Sequence, residues 1–174
     1  MINGLINKIQ FVSDPMLDRC HQLVSKYKFA NSQLKYFQNS IQNGVNDRGD
    51  IMYTYTVDGE IMGFVKGKIT NPPDDALGLP LQELGAEIEW LYVGAQHRNG
   101  VGQRLFDTFE NHVKKCKVKS LFVYSAETNQ AISFYKKNKL TLRGPDCLMG
   151  RMIEYNKKRN FILSQIDRLC KRVI

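Results

Sequence analysis

Ala86-Glu87-Ile88-Glu89-Trp90-Leu91-Tyr92-Val93 is a strand-like stretch that leads, through the turn Gln96-His97-Arg98-Asn99-Gly100-Val101-Gly102, into a helical pattern from Gln103 to Lys117. Glycines in such a turn let the backbone come close to a ligand. The first N–H groups of the helix have no intrahelical partner, and the helix dipole adds partial positive charge there. The stretch therefore predicts either a site for an anionic group such as a phosphate, or a plain strand-to-helix connection.

The residues after this helix predict a second strand and a short helix. Ser120 to Tyr124 is an apolar strand, and the helical stretch Thr128-Asn129-Gln130-Ala131-Ile132-Ser133-Phe134-Tyr135-Lys136-Lys137 contains an aromatic pair near its end. From Gly85 to Leu140, this order of elements and motifs resembles the GCN5-related N-acetyltransferase (GNAT) superfamily. That family carries a glycine signature between its fourth strand and third helix, and often an Ala-Ile-x-Phe-Tyr-like motif in its fourth helix.

The chain departs from the usual family pattern at two positions. Three residues before the first glycine of the signature, where the family has Arg or Gln, this chain has His97, with Arg98 one residue later. Either the turn is one residue shorter or His97 takes the basic position. Three residues before Ala131, where the family has Asn, this chain has Thr128, and Asn129 follows it.

The resemblance implies a single α+β domain. Its core would be a mixed, mostly antiparallel central sheet of about six or seven strands, flanked by about four helices and followed by a C-terminal helix. Residues 1–155 would form the acetyltransferase domain. Residues 156–174 would form a helical extension that packs on the same domain or on a partner.

Patterns outside the central region predict the other elements. The strongest is a hairpin, because alternating β-prone residues flank an Asp-Gly turn at Asp58 and Gly59. The predicted elements are a strand over Ile6 to Val12, helices over Pro15 to Lys28 and Asn31 to Gln42, hairpin strands over Ile51 to Val57 and Ile61 to Ile69, and last strands over Leu140 to Leu142 and Gly150 to Tyr155.

Length and composition favour one soluble domain. The chain has 174 residues, of which 43% are hydrophobic and 24% charged. No apolar run approaches the roughly 20 residues of a membrane helix, and the N-terminus lacks the features of a signal peptide. Four widely separated cysteines give no zinc or disulfide pattern, so we expect no metal and a cytoplasmic protein with reduced thiols.

The chain has a formal net charge of +8. Such a charge favours a polyanionic ligand or partner, and both coenzyme A and a nucleic acid meet that requirement. A basic face that is merely solvated would give the same charge. Contact with RNA or tRNA is therefore left open, as is the choice between a monomer and a homodimer.

Two glutamates are candidates for the general base. A carboxylate on a partly buried strand can have its pKa tuned by desolvation and by a neighbouring like charge. Strand alternation predicts Glu87 and Glu89 on one face, with Ile88, Trp90 and Tyr92 on the other. The family resemblance favours Glu87, with Glu89 second. The structural alternative is that both carboxylates form ion pairs with lysines such as Lys66 or Lys68 on a neighbouring strand.

Tyr135 is the candidate general acid. A tyrosine hydroxyl stays protonated at neutral pH and can donate its proton to a leaving thiolate. The resemblance places the leaving-group tyrosine of the family at Tyr135, and Tyr124 is the reserve candidate.

The resemblance also implies a binding site for acetyl-CoA, with no metal. The expected contacts are Leu91, Tyr92, Val93, His97, Arg98, Asn99, Gly100, Val101, Gly102, Gln103, Arg104, Asn129 and Tyr135.

The predicted function is an acyltransferase that moves an acetyl group from acetyl-CoA to a primary amine by direct attack in a ternary complex. The amine would belong to a small molecule, a peptide or protein, or an aminoacyl-tRNA. The alternative is a module of the same fold that binds a nucleic acid or partner without turnover.

Overall fold

A computed structural model describes most of the predicted domain. The described residues are 4–9, 15–25, 50–72, 83–97, 99–143 and 147–153. The predicted helix from Asn31 to Gln42, the residue Arg98, and the predicted extension over 156–174 lie outside these ranges. The division of the chain at residue 155 therefore stays a prediction.

Among the described residues, seven strands form one sheet in the order β1-β2-β3-β4-β5-β7-β6. The strands are β1 (Leu5–Ile9), β2 (Asp50–Val57), β3 (Glu60–Thr70), β4 (Gly85–Val93), β5 (Ser120–Tyr124), β6 (Thr141–Leu142) and β7 (Leu148–Met152). The described helices are α1 (Pro15–Ser25), α2 (Val101–Lys115) and α3 (Asn129–Lys137), with a short 3₁₀ helix at Ala95–His97. The predicted α+β class and mixed, mostly antiparallel sheet are confirmed.

The turn between β2 and β3 forms where the sequence predicts it. Asp58 and Gly59 both have positive φ angles, of 50° and 80°. Two-residue hairpin turns with this backbone twist match the twist of the flanking strands, which explains the preference for Asp-Gly. The hairpin pairs β3 with β2, and the other edge of β3 pairs with β4.

The pair β4–β5 is the one parallel pair among the described strands, and it defines the centre of the sheet. Its paired residues run from Gly85 and Ser120 to Ile88 and Val123. Beyond that point β4 continues to Val93, still paired with β3. The two central strands therefore share hydrogen bonds over only part of the length of β4, and a gap can open beside its C-terminal half.

A β-bulge at Glu89 changes which side chains share a face of β4. Gly67 pairs with Ile88 and Lys66 pairs with Trp90, so Glu89 is the extra residue on β4. An extra residue in one strand reverses the alternation beyond it.

The prediction that Ile88, Trp90 and Tyr92 share a face is therefore wrong. Ile88 packs in the core cluster that contains residues of α2, whereas Trp90 and Tyr92 pack against the cluster that contains residues of α1. Glu87 and Glu89 do lie together, because both contact Lys68.

In the part of the chain that the structure describes, two apolar clusters pack on the sheet. The larger cluster includes Leu105, Phe106 and Phe109 of α2 together with β-strand residues. The smaller cluster includes Cys20 and Val24 of α1. Each buried aliphatic or aromatic side chain of this kind contributes about 1.5–3 kcal/mol to the free energy of unfolding. The strands that carry the candidate site are thus fixed from both sides.

Candidate active site

A cleft of about 460 Å³ lies between the C-terminal half of β4, the start of α2 and helix α3. It lies beyond Ile88 and Val123, the last residues at which β4 pairs with β5. Its walls are formed by Leu91, Tyr92, Val93, Gly100, Gly102, Gln103, Ala126, Thr128, Gln130, Ala131, Phe134, Tyr135 and Lys137. The cleft can therefore take an elongated ligand that runs from a helix N-terminus toward the centre of the sheet.

The turn at one end of the cleft has the geometry expected of an anion site. Gly100 has a φ of +83° and is the residue at which α2 is capped, with no side chain to occupy the first N–H groups. The Arg104 N–H donates to the Gly100 carbonyl at 3.1 Å. A Cβ added at Gly102 would lie 3.6 Å from Val93 Cγ2 and 3.7 Å from Phe134 Cε2. An alanine would therefore fit at this position, whereas a longer side chain would extend into the cleft.

Seven of the residues predicted to contact acetyl-CoA line this cleft, namely Leu91, Tyr92, Val93, Gly100, Gly102, Gln103 and Tyr135. Four others, His97, Asn99, Val101 and Arg104, line a separate cavity of about 330 Å³ that includes Tyr55 of β2. The Arg104 guanidinium donates to the Tyr55 hydroxyl at 3.1 Å.

Asn129 is exposed at the start of α3, and it is not among the residues that line the cleft. The neighbouring Thr128 lines the cleft and caps the helix, because its hydroxyl accepts from the Ala131 N–H at 3.2 Å. The family pattern in which Asn holds this place is therefore replaced here by a Thr cap.

Sequence reasoning did not select several residues of the cleft wall. They are Ala126, Thr128, Gln130, Ala131, Phe134 and Lys137. All but Ala126 belong to the predicted α3 stretch, and they recur at helical spacing. A search of that helix for one continuous face would have found them.

Tyr135 belongs to both the cleft and the core. It is 6% exposed and packs edge-to-face on Phe134, with ring centroids 5.3 Å apart. Burial raises the pKa of its hydroxyl. The group therefore carries its proton throughout the neutral pH range, as a donor to a thiolate requires. Tyr124, the reserve candidate, is 50% exposed at the end of β5.

Four charged side chains of β3 and β4 form one cluster, which we call the lysine–glutamate cluster: Lys66, Lys68, Glu87 and Glu89. Lys66 forms an ion pair with Glu89, and their side chains are 2% and 9% exposed. Lys68 Nζ lies 2.8 Å from Glu89 Oε1 and 3.3 Å from Glu87 Oε2. The predicted structural alternative, in which lysines of a neighbouring strand pair with the two glutamates, is therefore present in the fold.

The cluster keeps Glu89 and Lys68 charged. Burial raises the pKa of the Glu89 carboxyl, but its bonds with Lys66 and Lys68 outweigh burial and hold that pKa below its ordinary value. Burial likewise lowers the pKa of Lys68, and the two glutamates more than reverse this, so that the pKa of Lys68 is raised. Both shifts follow from opposite charges at short distance.

Among the described residues, no group of three or more His, Cys, Asp or Glu side chains could hold a metal ion. Within the same residues, no helix has the length and apolar character that crossing a membrane requires.

Residues 17–139 match the model of the Acetyltransferase (GNAT) family. The chain belongs to this family. The family transfers an acetyl group from acetyl-CoA to an amine, so the prediction of an acetyl-CoA-dependent N-acetyltransferase is confirmed at the level of the family. No curated protein matches the chain in sequence.

Several solved structures share the fold. The PaiA N-acetyltransferase of Thermoplasma acidophilum in complex with coenzyme A is 16% identical with a TM-score of 0.64, over 87% of this chain and 99% of that one. The NAA60 protein of Arabidopsis thaliana in complex with acetyl-CoA is 18% identical with a TM-score of 0.67, over 87% and 99%. An aminoglycoside acetyltransferase from an uncultured soil metagenomic sample, in complex with sisomicin, is 16% identical with a TM-score of 0.59, over 88% and 94%.

Proposed function

We propose that this chain acetylates a primary amine with acetyl-CoA bound in the cleft between β4, α2 and α3. The observation that carries the proposal is the shape of the cleft. It begins at the start of α2, where Gly100 caps the helix without a side-chain hydrogen bond, and reaches the buried phenol of Tyr135. An anion site and a proton donor thus border one continuous cavity. Acetyl-CoA requires both, the first for its pyrophosphate and the second for the thiolate that leaves its thioester.

The cleft suggests how coenzyme A binds. The pyrophosphate would accept hydrogen bonds from the first N–H groups of α2, where the helix dipole favours negative charge. The pantetheine arm would follow Leu91 to Val93, beyond the last residues of β4 that pair with β5. The thioester would then lie near the point at which β4 stops pairing with β5, at Ile88, which follows Glu87 in the chain.

The reaction would proceed by direct attack. Glu87 takes a proton from the amine, whose lone pair forms a bond to the thioester carbonyl carbon. The resulting intermediate collapses as the carbon–sulfur bond breaks, and Tyr135 donates a proton to the leaving thiolate. Holding both reactants in one cleft lowers the barrier by making the attack effectively unimolecular.

Substitution of Gly102 tests the location of coenzyme A. We expect Gly102→Leu to weaken coenzyme A binding at least about tenfold, or about 1.4 kcal/mol, because the added side chain would occupy the cleft. Gly102→Ala is the matched control, because its Cβ would meet Val93 and Phe134 at ordinary contact distances. Isothermal titration calorimetry measures both dissociation constants. Equal affinity in wild type and Gly102→Leu would exclude this turn from the binding site.

Two observations bear on which amine the chain acetylates. The similar structures named above include an enzyme bound to an aminoglycoside. The net charge of +8 also makes an acidic acceptor such as aminoacyl-tRNA a candidate. The free thiols among the described cysteines support a cytoplasmic location.

An acceptor screen tests the proposed function. Purified protein is incubated with acetyl-CoA and, separately, with spermidine, an aminoglycoside, a peptide with a free N-terminus, and an aminoacyl-tRNA. We expect release of free thiol that depends on one of these amines. Coenzyme A-independent RNA binding with steep salt dependence, without thiol release from any amine, would instead favour a binding module.

A further inference from the structure

The lysine–glutamate cluster consists of an inner and an outer ion pair. The inner pair is Lys66 with Glu89, and both side chains are at least nine-tenths buried. The outer pair is Lys68 with Glu87, whose side chains are 38% and 18% exposed. The bulge at Glu89 explains the arrangement, because the extra residue lets both glutamates of β4 meet the lysines of β3. The two glutamates, which look equivalent in the sequence, are therefore in different surroundings.

Glu89 is poorly suited to accept a proton. Its Oε2 pairs with Lys66 and its Oε1 accepts from Lys68 at 2.8 Å. A general base needs an accessible lone pair and a proton affinity matched to the working pH. Protonating Glu89 would also break its buried ion pair with Lys66, and breaking a buried ion pair is strongly destabilising. The role of Glu89 is therefore to form ion pairs with the two lysines.

Glu87 is the more accessible of the two carboxylates. Its ion pair with Lys68 is longer, at 3.3 Å, and its side chain is twice as exposed as that of Glu89. Lys68 is itself directly opposite Glu87 in the register of β3 and β4. Because Glu89 anchors the Lys68 ammonium at 2.8 Å, that ammonium can restrain the Glu87 carboxylate while leaving it accessible.

We propose that Lys68 is a positioning residue that orients the Glu87 carboxylate for proton abstraction. The ion pair with Lys66 keeps the second glutamate, Glu89, from acting as the general base. This inference rests on the proposed function, in which Glu87 is the base. It assigns a different role to each residue of the cluster. Glu89 forms a buried ion pair with Lys66 and also holds the Lys68 ammonium in place. Lys68 in turn orients Glu87, which is the only one of the four that accepts a proton.

A double-mutant cycle tests the proposal in the full chain, with the acceptor from the panel that gives the fastest thiol release. We expect Lys68→Met to lower kcat about tenfold while KM for acetyl-CoA changes less than about twofold, because the cleft is untouched. Lys68→Arg keeps a cation at this position and should retain most of kcat. In the Glu87→Gln background, Lys68→Met should have no further effect on kcat, because the group that it orients is gone.

The control is Lys114→Met. Lys114 also forms an ion pair with a glutamate, Glu110, at 2.5 Å, and its side chain is 36% exposed, close to the value for Lys68. It lies on α2 and should leave kcat unchanged, and melting temperatures check that each variant is folded. Multiplicative effects of Lys68→Met and Glu87→Gln on kcat would overturn the proposal, as would an unchanged kcat in Lys68→Met. In either case thiol release by the wild type would still support the proposed function.

Discussion

Glu87→Gln lowers kcat on the order of 10²-fold or more, the scale on which a general base contributes to turnover. The substitution keeps the size of the side chain and removes its ability to accept a proton. Its neighbour Lys68 keeps a partner, because Lys68 Nζ also lies 2.8 Å from Glu89 Oε1. The loss should therefore appear in kcat and not in the stability of the fold. Steady-state thiol release measures it, with melting temperature as the check on folding.

The pH dependence of this loss separates a base from a structural carboxylate. At high pH more of the amine is already neutral, so the defect of Glu87→Gln should shrink as pH rises. Glu89→Gln should lower kcat less, and it should lower the melting temperature more, because it breaks a buried ion pair with Lys66. A full-strength kcat defect in Glu89→Gln, with Glu87→Gln near wild type, would reverse the two roles. Unchanged profiles in both variants would make the two carboxylates structural.

Tyr135→Phe should lower kcat on the order of 10²-fold with little change in coenzyme A affinity or stability. The ring that packs against Phe134 is kept, and only the hydroxyl that would protonate the thiolate is lost. Since burial raises the pKa of this hydroxyl, it stays protonated well above neutral pH, and its ionisation should not limit the rate there.

Tyr124→Phe is the matched control for this substitution. Tyr124 is 50% exposed at the end of β5, and it is not among the residues that line the cleft. Its variant should keep wild-type kcat in the same thiol-release assay. If Tyr124→Phe carries the defect and Tyr135→Phe does not, the acid is Tyr124. If neither variant is impaired, the thiolate takes its proton from solvent.

Much of the fold follows from local sequence patterns. The Asp58-Gly59 hairpin, the strand Ser120–Tyr124 and the helix that ends at Lys137 form where the patterns predict them. Helix α2 begins at Val101, two residues before the predicted start at Gln103, because Gly100 is the residue that caps it. Turn chemistry and apolar periodicity act over a few residues, so they can be interpreted without knowledge of the tertiary structure.

The candidate site was only partly predictable, because local patterns do not show which distant residues pack together. The sequence indicated the glycine turn, Tyr135 and the two glutamates, because each belongs to a short motif. It could not separate the residues that line the cleft from His97 and Arg104, which line a different cavity, because this depends on how the turn packs against β2 and β3.

By itself, the sequence determined the order of the elements, the hairpin, the glycine turn at the start of α2 and the family. Only the tertiary structure decided which faces of β4 meet which helix, and which lysine pairs with which glutamate. Both depend on the bulge at Glu89, which is defined by pairing with β3. Side-chain alternation is a local property with a period of two residues. An extra residue in one strand depends on the register with a partner that lies far away in the chain.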